Sequence, residues 1–360
     1  MKLDGTRILP FPSWADNPYL NVLYLASLAA GATVRGTTLL PSLEAELAGA
    51  GDGDVLHIHW TAPICQAADS EPDARARLAR FSTAVLRAKA AGMAMVWTVH
   101  NVIPHDAAFM EQELELSRFL ADTADLIHIM TAETPEVVSE FYRLPEANLT
   151  LIPHSSYQGI YGSHRTRGSA REHFGIRPEE KAVLFFGQMR PYKGLDTLLA
   201  AVELAHSEDA PIVLLLAGKT HPDSLAALEA ILPSSARVIR DHSFIADADV
   251  DLWFTAADLA VFPYRKILNS GSVHLAATYG VPCVLPGENH LRSQFAEESW
   301  VSFFDRDDEV ASLAALLQTW DDSDGTHRRA AVQAAERFTP YMMSTAFAAA
   351  LRGLNTAVPA

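Results

Sequence analysis

The segment 185–194 (FFGQMRPYKG) joins a glycine turn to two cations, between a predicted strand and a predicted helix. Gly187 allows a close backbone approach, and the N-terminus of the following helix favours an anion. Arg190 and Lys193 add two positive charges in an otherwise acidic chain. The segment therefore predicts a diphosphate-binding loop, and the alternative is a tight turn with surface cations. It contains neither a P-loop sequence nor GxGxxG.

A second strand-to-helix loop, 263–274 (PYRKILNSGSVH), predicts another anion-binding position. Ser270, Gly271 and Ser272 can offer hydroxyls and backbone N–H groups at a helix start. The alternative is that Ser272 is only the N-cap of the helix. Two such loops in one half of the chain favour a phosphate-binding function.

The segment 97–106 (WTVHNVIPHD) carries titratable groups beyond a predicted strand in the first half. His100, His105 and Asp106 follow that strand, and histidine and aspartate are the usual groups for removing a hydroxyl proton near neutral pH. The loop therefore predicts a general base. The alternative is that the two histidines satisfy loop carbonyls.

Two further groups of polar and aromatic residues lie in the first half. His57 and His59 share one face of a predicted strand, with Trp60 next to it, but no third ligand stands at metal spacing. Asn17 and Tyr19 open the first predicted helix. They either cap and pack that helix or form a wall of a cleft between two lobes.

Strands alternating with helices of 10–15 residues must position these loops, and this pattern predicts βαβ units in parallel sheets. The series runs to about residue 152, is interrupted by the polar segment 163–169 (SHRTRGS), which we interpret as a linker, and starts again at residue 182. The apolar periodicity predicts helices at 18–30, 195–205, 250–256 and 340–353, among others. We therefore predict an α/β protein with two doubly wound, Rossmann-like lobes, in which ligands lie beyond the carboxyl ends of the strands. The predicted domains are 1–164, 165–338 and a C-terminal helical segment, 339–360, that either stays on the second lobe or crosses back to the first.

Composition excludes several classes of protein. The chain has 360 residues, with 28 Lys and Arg against 44 Asp and Glu, a formal charge of −16 that argues against nucleic-acid binding. Its two cysteines, Cys65 and Cys283, exclude a disulfide scaffold and a multi-cysteine metal site. There is no signal-like N-terminus and no apolar run of membrane-spanning length. We expect a cytoplasmic protein, at most in peripheral contact with the inner face of the membrane.

Several segments together resemble nucleotide-sugar-dependent glycosyltransferases of the GT-B fold, near glycosyltransferase family 4. In the second half these are FFGQMRPYKGLDTLL, PIVLLLAG, DLWFTAADLAVFPY and AATYGVPCVLP, and in the first half ADLIHIMTAETPEVV and LTLIPHSSY. The resemblance covers nearly the whole chain. It implies an acceptor-binding first lobe and a donor-binding second lobe.

The chain departs from the common retaining members of that family. Their two glutamates, eight residues apart, correspond to Ile267 and Leu275, and the usual arginine after the glycine corresponds to Gln188. The Ser-Gly-Ser loop, WTVHNVIPHD and the Asn-Pro-Tyr sequence resemble a bacterial subgroup. That subgroup includes inverting transferases that form β-linkages in polysaccharides and glycoconjugates. The resemblance thus implies transfer of a sugar from a nucleoside-diphosphate sugar to a hydroxyl of a sugar, a lipid-linked acceptor or a small molecule, in polysaccharide, glycolipid or glycosylated-metabolite synthesis.

The resemblance implies a role for each candidate residue, and it implies that no metal or other cofactor is required. An inverting transfer needs one base, and Asp106 or His100 is the candidate, although His100 could instead contact the donor sugar. The implied donor-binding residues are Gly187, Gln188, Arg190, Lys193, His242, Phe244, Ser270, Gly271, Ser272 and Val273. The implied acceptor-binding residues are Asn17, Tyr19, His59, Trp60 and His105. The alternatives are a retaining transferase of the same fold and an inactive module that binds a nucleotide or a sugar.

Overall fold

A computed structural model describes residues 3–354, which form two units. Within the described residues, the first unit contains 3–154 and 340–354, and the second is Ser155–Thr339. The contacts thus divide the chain earlier than the predicted boundary at residue 164. The segment 163–169 is not entirely a linker: a helix begins at Arg167, because the side chain of Thr166 caps its N-terminus.

The first unit is built on a parallel sheet with the strand order β2-β1-β3-β4-β5-β6. Its central strands are buried on both faces, as in α/β folds whose sheets are covered by helices. The strands are β1 (Arg7–Phe11), β2 (Thr33–Val34), β3 (Asp54–Ile58), β4 (Ala94–Thr98), β5 (Leu126–Ile129) and β6 (Leu149–Leu151).

Seven helices connect these strands. The predicted helix 18–30 is divided at Tyr24, whose hydroxyl is hydrogen-bonded to two histidines of the unit. The helices are α1 (Pro18–Leu23), α2 (Leu25–Ala29), α3 (Leu40–Leu47), α4 (Ala62–Cys65), α5 (Glu71–Ala90), α6 (Met110–Thr123) and α7 (Thr134–Val138).

The second unit repeats this architecture with the strand order β12-β11-β10-β7-β8-β9, again parallel throughout. The strands are β7 (Lys181–Phe186), β8 (Ile212–Ala217), β9 (Arg237–Asp241), β10 (Leu259–Val261), β11 (Cys283–Pro286) and β12 (Val301–Phe304). The helices are α8 (Arg167–His173), α9 (Leu195–Ala205), α10 (Pro222–Glu229), α11 (Val250–Ala256), α12 (Gly271–Thr278), α13 (Asn289–Gln294), α14 (Glu309–Thr319) and α15 (Thr326–Arg337).

The strand order of the second sheet places a topological switch between β7 and β10. The chain proceeds from β7 outward to β9, returns to β10 beside β7, and then proceeds outward to β12 on the other side. In open α/β sheets the crevice beyond the carboxyl ends of two such strands is the usual ligand position.

The last helix, α16 (Pro340–Gly353), packs on the first unit. Its Ser344 accepts a hydrogen bond from the backbone N–H of Ala26 at 2.7 Å and donates one to the Leu23 carbonyl at 3.1 Å. Phe347 is fully buried and stacks on His57, with ring centroids 4.9 Å apart. This helix therefore completes the core of the first unit.

Candidate active site

Two loops of the second unit meet at the switch between β7 and β10. The backbone N–H of Arg265, after β10, donates to the carbonyl of Tyr192, after β7, at 2.9 Å. The ammonium of Lys193 lies 3.7 Å from the centroid of the Tyr264 ring, a cation–π contact that fixes its position. The structure thus brings the cationic loop and the serine loop together, as their positions beyond neighbouring strands require.

Close backbone packing between these loops depends on glycine. Gly194 has φ +66°, and a Cβ at this position would lie 2.0 Å from the carbonyl oxygen of Pro263. Gly187 has φ +127°, a backbone conformation that residues with a side chain rarely adopt, although a Cβ there would make only an ordinary contact, 3.4 Å from the hydroxyl of Ser272. Gly194 therefore admits the second loop of the same unit, whereas Gly187 is required by its backbone conformation.

The start of α12 lies on this side of the sheet. Ser270 is its N-cap residue but makes no side-chain capping bond, and the N–H of Val273 donates to the Ser270 carbonyl. Ser272 lies inside the first turn, so it is not the N-cap. Gly271 and Ser272 are half-buried.

The predicted cations differ in their surroundings. Arg190 and Gln188 are exposed, and within residues 3–354 the Arg190 guanidinium forms no hydrogen bond or ion pair. Lys193 is half-buried between aromatic rings. The aromatic contacts therefore hold the Lys193 ammonium in place, whereas the Arg190 side chain is exposed beside it.

The loop after β9 reaches the same region through the loop after β8. His242 is held by the Thr220 hydroxyl at 2.8 Å and by the Glu229 carboxylate at 2.8 Å. Thr220 pairs in turn with Met189 of the cationic loop. Phe244 is 70% exposed, an unusual position for a large aromatic ring.

The positions of the two family glutamates are part of the core. Ile267 and Leu275 are 8% and 6% exposed, and both belong to the hydrophobic cluster of the second unit. An ionised carboxylate would be costly at either position without a partner. Their apolar character is therefore explained by packing.

In the first unit, histidines converge at the carboxyl ends of the sheet strands. His57 is bonded to the Tyr24 hydroxyl at 2.6 Å and to the Thr98 hydroxyl at 2.7 Å. Because both ring nitrogens of His57 are engaged in this way, it is not available as a metal ligand. Tyr24 also contacts His59 Nε2 at 2.6 Å.

The same network extends in both directions. His59 Nδ1 lies 3.1 Å from His100 Nε2. At the other end, Thr98 Oγ1 lies 3.1 Å from His128 Nδ1, and His128 Nε2 lies 2.8 Å from the carbonyl of Ile152. We call this series the histidine relay: the Ile152 carbonyl, His128, Thr98, His57, Tyr24, His59 and His100.

Burial keeps the relay histidines neutral. Desolvation lowers the pKa of His57, His59 and His100 well below the ordinary value, with neighbouring histidines acting in the same direction. Burial likewise lowers the pKa of His128 to about 4, although its bond to the Ile152 carbonyl opposes the shift. Each of these rings therefore carries a single proton near neutral pH.

Aromatic rings surround His100. Trp60 stacks on it with centroids 4.1 Å apart, and the edge of Tyr19 approaches it at 5.1 Å. A small pocket of the first unit is lined by His59, Trp60, Trp97, His100, Asn101 and Tyr142. The structure thus brings His100, a candidate base, together with His59, Trp60 and Tyr19, three of the residues predicted to bind the acceptor.

The remaining predicted residues lie around this group. The side chain of Asn17 accepts from the backbone N–H of Tyr19 at 3.0 Å, so it is the N-cap of α1. His105 is half-buried in the loop after β4. Asp106 is exposed, and its carboxylate forms no hydrogen bond or ion pair within the described part of the chain. The structure therefore gives His100 a positioned environment that Asp106 does not have.

The sequence reasoning missed three side chains of the histidine relay: Tyr24, Thr98 and His128. A signal was present, because polar residues interrupt otherwise apolar buried strands in VLHIH, VWTVH and LIHI. A buried polar group requires a partner. Repetition at the same end of successive strands indicates that the partners are one another.

Two features are absent from the part of the chain that the structure describes. Within residues 3–354 no three or more His, Cys, Asp or Glu side chains are grouped so as to hold a metal ion. Among the helices so described, none combines the length and the apolar character needed to cross a membrane. Cys65 and Cys283 are both buried free thiols, one in each unit.

The second unit matches a known protein family. Residues 180–321 match the family described as glycosyl transferases group 1. Among curated proteins, a GDP-mannose:glycolipid 4-beta-D-mannosyltransferase of Xanthomonas campestris pv. campestris is 25% identical over 313 residues, 85% of this chain and 80% of the relative. A D-inositol 3-phosphate glycosyltransferase of Thermobispora bispora is 25% identical over 257 residues, 67% of this chain and 59% of the relative.

Solved structures show the same fold over nearly the whole length. Anabaena Alr3699/HepE, in complex with UDP and glucose, has a TM-score of 0.69 at 14% identity, covering 97% of this chain and all of that one. Sucrose-phosphate synthase from Thermosynechococcus elongatus has a TM-score of 0.72 at 16% identity, covering 97% of this chain and 99% of that one. The predicted fold is confirmed, because the chain has the two-sheet α/β architecture of these GT-B structures. The match of residues 180–321 to the group 1 glycosyl transferases and the two curated relatives identify the chain as a glycosyltransferase.

Proposed function

We propose that the protein moves a sugar from a nucleoside-diphosphate sugar to an acceptor hydroxyl with inversion, forming a β-linkage. The observation that carries the proposal is the meeting of two anion-binding loops at the β7–β10 switch. There Lys193 is fixed over Tyr264, and the start of α12 follows the second loop.

In this proposal the second unit stabilises the leaving group. Negative charge develops on the departing diphosphate as its bond to the sugar breaks, so fixed donors and cations there lower the barrier. Lys193 supplies the fixed charge, Arg190 adds a second, and backbone N–H groups of Gly271 and Ser272 donate hydrogen bonds. Gly187 and Gln188 let the backbone approach the phosphates, and Phe244 offers a face to the nucleobase beside His242.

The first unit supplies the base and the acceptor surface. An inverting displacement needs one group that removes the acceptor proton, and His100 and Asp106 are the two candidates. The rings of Trp60 and Tyr19 give a sugar apolar faces to contact, while Asn17 keeps Tyr19 in place by capping α1. His59 and His105 complete the polar lining.

Inversion is supported by two features. The positions of the two family glutamates are occupied by the buried apolar residues Ile267 and Leu275. The Xanthomonas relative is named for a β-mannosyl transfer from GDP-mannose to a glycolipid. GDP-mannose and a lipid-linked oligosaccharide are therefore the first donor and acceptor to test, and the product belongs to glycolipid or polysaccharide synthesis.

The proposed chemistry needs no metal, because Lys193, Arg190 and the helix N–H groups neutralise the diphosphate. Transfer should therefore continue at an unchanged rate in the presence of a chelator. A rate that falls with chelation and recovers with a divalent cation would overturn this part of the proposal.

The test of function is a donor panel with the product's anomeric configuration as the readout. The purified protein is incubated with GDP-mannose or UDP-glucose and a lipid-linked oligosaccharide, and the product is examined by NMR. A β-linked product supports the proposal, and an α-linked product shows a retaining transferase. Nucleotide binding by calorimetry without any transfer would indicate a binding module without catalytic activity.

A further inference from the structure

The histidine relay begins at a group that can only accept a hydrogen bond. The carbonyl oxygen of Ile152 lies 2.8 Å from His128 Nε2, so His128 carries its proton on that nitrogen. Its Nδ1 then holds a lone pair, and the Thr98 hydroxyl at 3.1 Å must donate to it. The backbone thus sets the direction of the first two bonds.

Each hydroxyl transmits the donor-to-acceptor direction to the next hydrogen bond. It has a single proton, so a hydroxyl that donates to one partner must accept from the other. The proton of Thr98 is committed to His128, so Thr98 Oγ1 accepts from His57 Nε2 at 2.7 Å. His57 Nδ1 is then an acceptor and receives the proton of the Tyr24 hydroxyl at 2.6 Å. The second histidine therefore has the same tautomer as the first.

The last two hydrogen bonds of the relay determine which nitrogen of His100 carries its proton. Tyr24 has donated its proton, so its oxygen accepts from His59 Nε2 at 2.6 Å. His59 Nδ1 is left as an acceptor, and His100 Nε2 at 3.1 Å must donate to it. Since burial keeps each of these rings neutral, the second nitrogen of His100, Nδ1, holds a lone pair.

We propose that His100 is the catalytic base and that the histidine relay holds it as the Nε2–H tautomer, so that Nδ1 accepts the proton of the acceptor hydroxyl. This rests on the proposed inverting transfer, and it selects His100 over Asp106. His59, Tyr24, His57, Thr98 and His128 are positioning residues, since they act on the reaction only through His100.

The step balances without any further reactant. The acceptor oxygen forms a bond to the anomeric carbon of the donor while its proton passes to His100 Nδ1. The bond from that carbon to the diphosphate breaks, and the diphosphate leaves with the electron pair. His100 then carries both ring protons and a positive charge until it releases the Nδ1 proton to solvent.

Thr98 offers a matched pair of variants, because it is buried and its hydroxyl connects the anchored end of the relay to the rest. Thr98→Val preserves the shape but removes the hydroxyl, which separates His57 from the carbonyl anchor. The bonds from His57 to His100 can then run in either direction, and His100 becomes a mixture of two tautomers. Thr98→Ser keeps the hydroxyl and should keep the single tautomer.

The first measurement is the nitrogen chemical shifts of His100 in protein labelled with ¹⁵N-histidine, assigned by comparison with His100→Asn. The wild type and Thr98→Ser should show Nε2–H alone, and Thr98→Val should show both forms. A wild-type His100 protonated on Nδ1 overturns the relay. If Thr98→Val does not fold, Tyr24→Phe interrupts the same series between His57 and His59 and replaces it.

The second measurement is kinetic, with GDP-mannose and a lipid-linked oligosaccharide. If half of the His100 rings hold the wrong tautomer, half of the molecules are competent, so kcat of Thr98→Val should fall at least twofold with KM unchanged. Thr98→Ser should restore kcat. Mixed tautomers with an unchanged kcat overturn the positioning role. No transfer by the wild type, with the Nε2–H tautomer present, contradicts the proposed function and not the relay.

Discussion

The carboxyl edges of the two sheets differ in the charge and the burial of their side chains. In the first unit the edge is filled by neutral, mutually bonded histidines and aromatic rings, with His57, His59 and His128 fully or almost fully buried. In the second unit the edge is made of glycine-rich loops that carry exposed or half-buried cations such as Arg190 and Lys193. A group that takes up a proton must be neutral beforehand, whereas a group that stabilises a leaving anion must be charged throughout.

The largest expected effect comes from removing the proton acceptor of the first unit. His100→Ala should lower kcat by about 10² to 10⁴, the usual contribution of a general base, with little change in GDP binding. The measurement combines steady-state transfer with calorimetry of GDP. Asp106→Asn is the matched variant and should retain most of the activity, because that carboxylate is exposed and unpositioned. The reverse ranking of the two variants would assign the base to Asp106.

Acid should weaken the first unit through its buried histidines. The folded pKa of His128 is about 4, below the ordinary 6.5, so the folded state disfavours its protonation. The stabilisation is present above pH 6.5 and is lost as the pH falls towards 4, because the unfolded chain binds the proton first. The loss amounts to roughly 3 kcal/mol for this ring, whose neighbours are Thr98, His154 and Phe347.

Urea unfolding at several pH values between 7.5 and 4.5 measures this dependence. His128→Gln should reduce the slope of stability against pH by up to one proton. Equal slopes in the wild type and His128→Gln would contradict the assignment.

The smallest effect concerns the charge of the second unit. Lys193→Ala should weaken GDP binding by about tenfold to a hundredfold, since a hydrogen bond to a charged group contributes about 1.5–3 kcal/mol. Arg329→Ala, which removes an exposed positive charge on α15 of the same unit, is the control. Calorimetry at two salt concentrations separates a fixed contact from general attraction, because salt screens the latter more strongly. Equal losses in both variants would show that Lys193 acts only through net charge.

Much of the fold could be predicted from the sequence. Helices α9, α11 and α16 begin and end where their apolar periodicity and flanking residues predict. The predicted strands are found, although several boundaries shift by one or two residues. Elements without a strong pattern, such as β2 and α13, were not predicted, because short segments depend on neighbours for their stability.

The two candidate sites were not equally predictable. The cationic loop is continuous in sequence, so Gly187, Arg190 and Lys193 could be interpreted together. The side chains of the relay, at positions 24, 57, 59, 98, 100 and 128, come from separate segments of the chain. No single stretch of sequence shows that they contact one another. Among these, only His57 and His59 were considered as metal ligands, without a third, whereas the two hydrogen bonds of His57 give it another role.

By itself the sequence determined that two parallel α/β sheets form. Each strand or helix is specified by the apolar pattern of its own short segment, and these segments alternate along the chain. The sequence also determined which loops carry glycine and positive charge. Only the tertiary structure decided that Thr98 lies beside His128, because the register of β4 and β5 pairs these two residues. Hydrogen bonds across strands then fixed the tautomers, since the direction of each bond depends on the next partner and finally on one backbone carbonyl.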